Sequence, residues 1–188
     1  MNNTSTIYSQ PVIDMLTVSA EYCIMLEKLA SSGQGRRRFL EQITKVLPLI
    51  YVKAALLPAV EALDDTDFLP EAVTEADYDE VRQAVWRLLR SDDEYLEVFT
   101  PDMAYSEGAT TRTISEDLAD IYQDLKNFVA VFADRNEDAM HEALAKVEEN
   151  FRNYWGQRLV NAMRPLHDLL YTNPQNDDDD DAQSSQDI

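Results

Sequence analysis

The chain has 188 residues, 45% of them hydrophobic, enough for one domain with a real apolar core. Four glycines in the whole chain are too few for the turns of a β-rich fold or the phosphate cradles of Gly-loop enzymes, which depend on positive φ angles. A formal charge of −20 repels phosphate backbones, and no basic stripe with interleaved aromatics offsets it, which argues against nucleic-acid binding.

Six of the 36 acids fall in Asn173 to Ile188, which holds no base, so the body alone still stands at −14. The single cysteine, Cys23, cannot form an intramolecular disulfide and is expected to be a buried, reduced thiol. Met1 to Gln10 carry neither the basic nor the apolar region of a signal peptide. The most apolar stretch, Val46 to Val60, is broken by Lys53, Pro48 and Pro58, so no membrane span is expected. These features together predict a cytoplasmic chain without a membrane partner.

Helical periodicity organises the rest. A first helix begins at Ser9 or Gln10 with Pro11 in its first turn, buries Ile13, Leu16, Ala20, Ile24 and Leu29, and stops at Ser31, Ser32 and Gly33. A second runs from about Arg37 through Phe39, Leu40, Ile43, Val46, Leu47, Ile50, Tyr51 and Ala54 to Leu57, kinked at Pro48. Its apolar residues on most sides mark it as the central helix. Asp64 to Pro70 reads as a loop. Thr74 and Asp77 form a capping box that opens a third helix through Tyr78, Val81, Val85, Leu88 and Leu89. Tyr95 to Thr113, with Pro101 and Gly108, lacks a period and reads as a long ordered loop of the kind that is more often functional than a plain connection. Ser115 caps a fourth helix with core stripe Leu118, Ile121, Leu125, Phe128 and Phe132. A last helix spans about Glu137 to Tyr171, interrupted at Pro165. The fold class is thus all-α, a bundle of five or six helices over residues 1–172, followed by a disordered acidic tail over 173–188.

Several strings resemble a known family when taken together: Glu21-Tyr22-Cys23, Leu47-Pro48-Leu49-Ile50-Tyr51, Glu94 to Phe99, Ile114 to Leu125, and Asn153-Tyr154-Trp155-Gly156-Gln157. The chain resembles the bacterial family catalogued as domain of unknown function 5063 over nearly all its length apart from the tail. The resemblance implies a small helical bacterial protein and carries no activity, ligand or catalytic residue with it.

Candidate sites must therefore come from the residues. Asp117, Asp120 and Asp124, three and four apart on the fourth helix, place like charges on one stripe beside the core. Oxygen-only ligands of that kind suit Mg²⁺, Mn²⁺ or Ca²⁺, and the competing interpretation is a solvated face paired with Arg82, Arg152 or Arg158. Arg36, Arg37 and Arg38 open a helix where the macrodipole disfavours positive charge, which invites an anion or an acidic partner surface; pairing with the acidic body is the plainer alternative. Gly156, mid-helix at a cost of about 1 kcal/mol relative to alanine, points to close helix packing at Trp155. Alternatively, Tyr95, Tyr122, Tyr154, Trp155 and Gln157 line an aromatic groove for a ligand or peptide. His141 is expected to be exposed near a helix start, and His167 to be an interfacial residue. Neither the histidines nor Cys23 has the neighbours of a catalytic group.

No nucleophile constellation, cofactor fingerprint or catalytic residue emerges, and no cofactor is expected. The reading that follows is a non-catalytic interaction or regulatory module whose partner is another protein. The alternative, from a different class, is a Mg²⁺- or Mn²⁺-dependent hydrolase of a phosphorylated small molecule built on Asp117, Asp120 and Asp124.

Overall fold

Helix α1 (Gln10–Ser32) starts with Pro11 in its first turn and ends where Gly33, at φ 68°, returns its N–H to the Leu29 carbonyl, a left-handed geometry that a Cβ would strain. The computed structural model of the chain describes residues 6–62, 69–97 and 110–172. The buried face of α1 is Val12, Met15, Val18, Tyr22, Cys23, Leu26 and Leu29, whereas Ile13 and Ile24 are each 44% exposed. The expected stripe was therefore rotated. This helix carries apolar residues on two faces, and the face that wins is the one where the Tyr22 hydroxyl can donate to the Leu118 carbonyl at 2.8 Å. Cys23 is buried and unpaired, and burial pushes its thiol up to about 12, as an inert core thiol requires.

Helix α2 (Arg36–Ala55) contains Pro48 and buries Phe39, Leu40, Ile43, Leu47, Ile50 and Ala54. It is not the central helix. Leu49, Tyr51, Val52 and Leu56 stand exposed on its outer side, so its all-round apolarity leaves a greasy surface. The centre belongs to α4, described below.

Helix α3 (Glu75–Leu89) opens on the expected capping box, Thr74 and Asp77 each bonding the other's backbone N–H. One 3₁₀ turn (Arg90–Asp93) then leads into β1 (Glu94–Glu97), which pairs antiparallel with β2 (Thr110–Thr113); Tyr95 faces Arg112 and Leu96 faces Thr111. The stretch expected to be a loop thus begins and ends as a hairpin. Threonine and tyrosine suit strands, but four-residue strands are too short for alternation to register. The remainder of that stretch, 98–109, and most of the Asp64 to Pro70 loop lie outside the described residues.

Helix α4 (Ile114–Ala133) is capped by Thr113, whose side chain accepts the Glu116 N–H, and not by Ser115. Ser115 instead turns inward to Asp93. Ile114, Leu118, Ile121, Leu125 and Phe128 are buried, and α4 packs against α1, α3, α5 and α6. After the Asn136 cap, α5 (Glu137–Asn150) passes through a π-helical segment (Phe151–Trp155) into α6 (Gly156–Tyr171). The expected last helix is thus one path containing an inserted π turn, and Pro165 lies within α6 without ending it. The predicted tail, 173–188, lies outside the described residues. No helix among those described is long and apolar enough to cross a membrane.

The histidines depart from expectation. His141 is buried, and its Nδ1 has no hydrogen-bond partner. His167 is exposed and stacks on Tyr171 with ring centroids 4.7 Å apart.

Candidate functional site

The hairpin docks where α4 and α6 meet, and a buried carboxylate holds it there. Asp117 is fully buried one turn into α4 because its neighbours Leu118 and Ile121 drive that face into the core. It accepts the Tyr95 hydroxyl of β1 and an Arg112 N–H of β2 at 2.9 Å. Tyr95 and Arg112 are directly opposed in the ladder, so one carboxylate fastens both strands. From α6, the Arg158 guanidinium lies 4.0 Å from Asp117 and 3.9 Å from Glu97, and Asn161 donates to Glu97 at 3.0 Å. Burial raises the Asp117 carboxyl above the usual carboxylate range, against the pull of the Tyr95 and Arg112 bonds.

The other two aspartates of the stripe go to different donors. Asp120 accepts the hydroxyls of Tyr78 (2.9 Å) and Tyr154 (2.6 Å), and Asp124 accepts the Asn150 amide at 2.7 Å. Burial, followed by the Asp120 contact, pushes the Tyr154 phenol up to about 12. Among the described residues no group of three or more His, Cys, Asp or Glu is placed to hold a metal ion. Asp117, Asp120 and Asp124 share a helical face, but each is engaged by its own protein partners.

Between β1 and α6 lies a groove of about 560 Å³ lined by Tyr95, Leu96, Gln157, Val160, Asn161, Arg164, Pro165 and Asp168. Of the five aromatic-groove residues expected from the sequence, Tyr95 and Gln157 meet here. Tyr154 adjoins through Arg158, whose guanidinium sits 5.4 Å from its ring centre. Tyr122 points away, donating to Glu27 at 3.0 Å beside the Glu27–Lys126 ion pair. Trp155 is fully buried, its indole N–H donating to the Val147 carbonyl at 3.3 Å. The residues that were missed, Leu96, Val160, Asn161, Arg164 and Asp168, include a helical stripe on α6. That stripe is readable at spacings of three and four, but the strand that makes it a groove wall was not.

The arginine triplet disperses. Arg36 donates to Asp92 at 2.6 Å and to the Leu89 carbonyl at 3.4 Å, tying α2 to the turn that launches β1. Arg37 pairs with Glu41 one turn along, and Arg38 is exposed. The Arg36 charge is therefore engaged in structure.

The described residues thus form a helical bundle with a carboxylate-clasped hairpin and an open groove beside it. The family described as Domain of unknown function (DUF5063) matches residues 6–172, and the chain belongs to that family. Among solved structures, the crystal structure of protein BF1032 from Bacteroides fragilis is 40% identical, with a TM-score of 0.78 over 89% of this chain and 96% of that one. No curated protein matches the chain.

Proposed function

We propose that this protein is a non-catalytic interaction module that offers the groove between β1 and α6 to another protein. The observation that carries this reading is the composition of the groove walls. Leu96 is 62% and Val160 47% exposed, and both line the same cleft with the side-chain amides of Gln157 and Asn161. Apolar walls with a few polar groups that fix orientation are what binding clefts require. The nearby carboxylates of Asp117 and Glu97 are already bonded to protein donors, and the groove's own charged residues, Arg164 and Asp168, carry opposite signs, which supports recognition of a ligand.

The test is site-specific photocrosslinking in cells that contain the natural partners. A photoreactive residue at Val160 should give a discrete adduct with a second protein. The same residue at Leu56, more exposed still but at the C-terminal end of α2, should not. Adducts of equal pattern from both positions, or none from Val160, overturn the assignment to this groove.

A further inference from the structure

Resting on the groove reading above, we propose that the occupant is an extended peptide segment with cationic flanks, bound as a third strand along the free edge of β1. The first support is the position of the groove. Side chains of successive strand residues point to opposite faces. Tyr95 turns inward to Asp117, while Leu96 stands on the outer face. A cleft lined by both residues, and by none from β2, must run past the edge of β1 that faces away from its partner strand.

The second support is the state of that edge. Within the described residues, Glu94 to Glu97 pair with β2 alone, and no other backbone bond reaches them. Proteins usually cover or blunt such an edge, and an added strand uses it through main-chain hydrogen bonds, with specificity from pockets for alternate side chains. At about 3.3 Å per residue, four residues of edge receive a segment of four or five. Val160 and Pro165 on α6 face the apolar side chains of such a strand. Gln157 and Asn161, which bond each other at 2.8 Å, carry further amide capacity for its outer backbone row.

Charge selects between a foreign peptide and a second copy. Edge-to-edge pairing of two β1 strands sets Glu94 and Glu97 of one copy against the same residues of the other, and like charges opposed across strands destabilise pairing. The chain's overall −20 adds long-range repulsion between copies and attracts a basic segment.

The experiment uses the full ¹⁵N-labelled chain and the heptapeptide Lys-Val-Thr-Val-Thr-Val-Lys, capped at both ends. Amide spectra should show peptide-induced shifts at β1 and at Gln157 and Val160, with at least tenfold slowing of hydrogen exchange in β1. N-methylation of the three valines in one peptide, and of the two threonines in another, blocks opposite edges of the strand. One of the two should bind at least tenfold more weakly, as should the Val160→Glu protein with the parent peptide, and glutamates at the peptide ends should weaken binding at least fivefold. Shifts at Val160 with no slowing in β1, or indifference to both methylations, overturn the strand pairing while the groove reading stands. No shifts anywhere overturn both. Equal binding of the glutamate-ended peptide overturns the cationic preference, and a concentration-dependent dimer whose β1 amides shift without peptide makes the occupant a second copy.

Discussion

Asp93 and Ser115 meet at the first turn of α4, where the Asp93 carboxylate accepts both the Ser115 backbone N–H at 2.8 Å and its hydroxyl at 2.6 Å. Both residues are about 1% exposed. The contact satisfies an N–H that a helix start leaves open and sets a negative charge at the positive end of the helix. It also closes the two ends of the hairpin excursion on each other. Asp93→Ala leaves both Ser115 donors buried without an acceptor and should cost about 2–3 kcal/mol in urea denaturation. Ser115→Ala keeps the N–H bond and should cost clearly less. Equal losses, or an Asp93→Ala loss under about 0.5 kcal/mol, would sink the claim that this carboxylate anchors the helix start.

Burial raises the carboxyls of Asp93, Asp117 and Asp124 above the usual carboxylate range, in each case against hydrogen bonds that lower them. The folded state then takes up these protons before the unfolded chain does. Stability contributed by a carboxyl of this kind grows as pH falls through its raised value and is fully present below the unfolded value. Asp14 and Asp77, held low by Lys53 and by Thr74 respectively, act oppositely, but only once pH falls into the range where unfolded carboxyls protonate. As pH falls from neutrality toward the ordinary carboxylate range the urea midpoint should therefore rise. Asp117→Asn should flatten the rise; an unchanged slope in that variant would remove Asp117 from the account.

Gly156 provides a test of sign. Glycine to alanine inside a helix ordinarily stabilises by about 1 kcal/mol. Here the π turn returns the Gly156 N–H to the Phe151 carbonyl, and a Cβ at Gly156 would overlap that carbonyl oxygen and lie 2.8 Å from the Phe151 ring. Backbone cannot swing aside as a long side chain can. Gly156→Ala should therefore destabilise by about 2 kcal/mol or more, the range of overpacked cores. A stabilised variant would show that the π turn relaxes to an ordinary α turn at no cost.

What was legible in the sequence follows from the length of each signal. Helix boundaries at Gly33 and Thr74 carry strong local chemistry, and the α4 stripe of Leu118, Ile121, Leu125 and Phe128 repeats long enough to fix its buried face. The rotation of α1 was not legible, because Ile13 and Ile24 keep helical spacing as well as Val12 and Cys23 do. The deciding Tyr22 to Leu118 bond joins residues 96 apart in the chain. Gly156 was expected to mark a close approach between helices, whereas the crowding there comes from Phe151 of its own π turn, since a residue inserted into a helix leaves the periodicity on either side intact. For the candidate site, Tyr95 and Gln157 were found as aromatic and amide surface residues, whereas Leu96 and Val160 became meaningful only once four-residue strands placed them in one cleft.

The aspartate stripe decides between recognition and metal-dependent hydrolysis. Read from spacing alone, Asp117, Asp120 and Asp124 repel one another, and replacing the middle one with asparagine would relieve that strain. The structure changes the expected sign, because Asp120 accepts two tyrosine hydroxyls, from Tyr78 and Tyr154. An asparagine offers one acceptor oxygen and no charge, so both phenols lose a charged partner and one loses its acceptor. Tyr154 is 42% exposed and can turn to water, while Tyr78 is half-buried and cannot do so as freely. Asp120→Asn should therefore lose about 1 kcal/mol of stability. In the parent protein, millimolar Mg²⁺ or Mn²⁺ should leave Tm unchanged, because a cation would have to displace Arg112 and Tyr95 from Asp117 and the phenols from Asp120. Binding at 100 times the dissociation constant would instead add about 2.7 kcal/mol. A metal-dependent rise in Tm that Asp120→Asn abolishes would reverse the proposed function and make phosphoester and pyrophosphate substrates the first to assay.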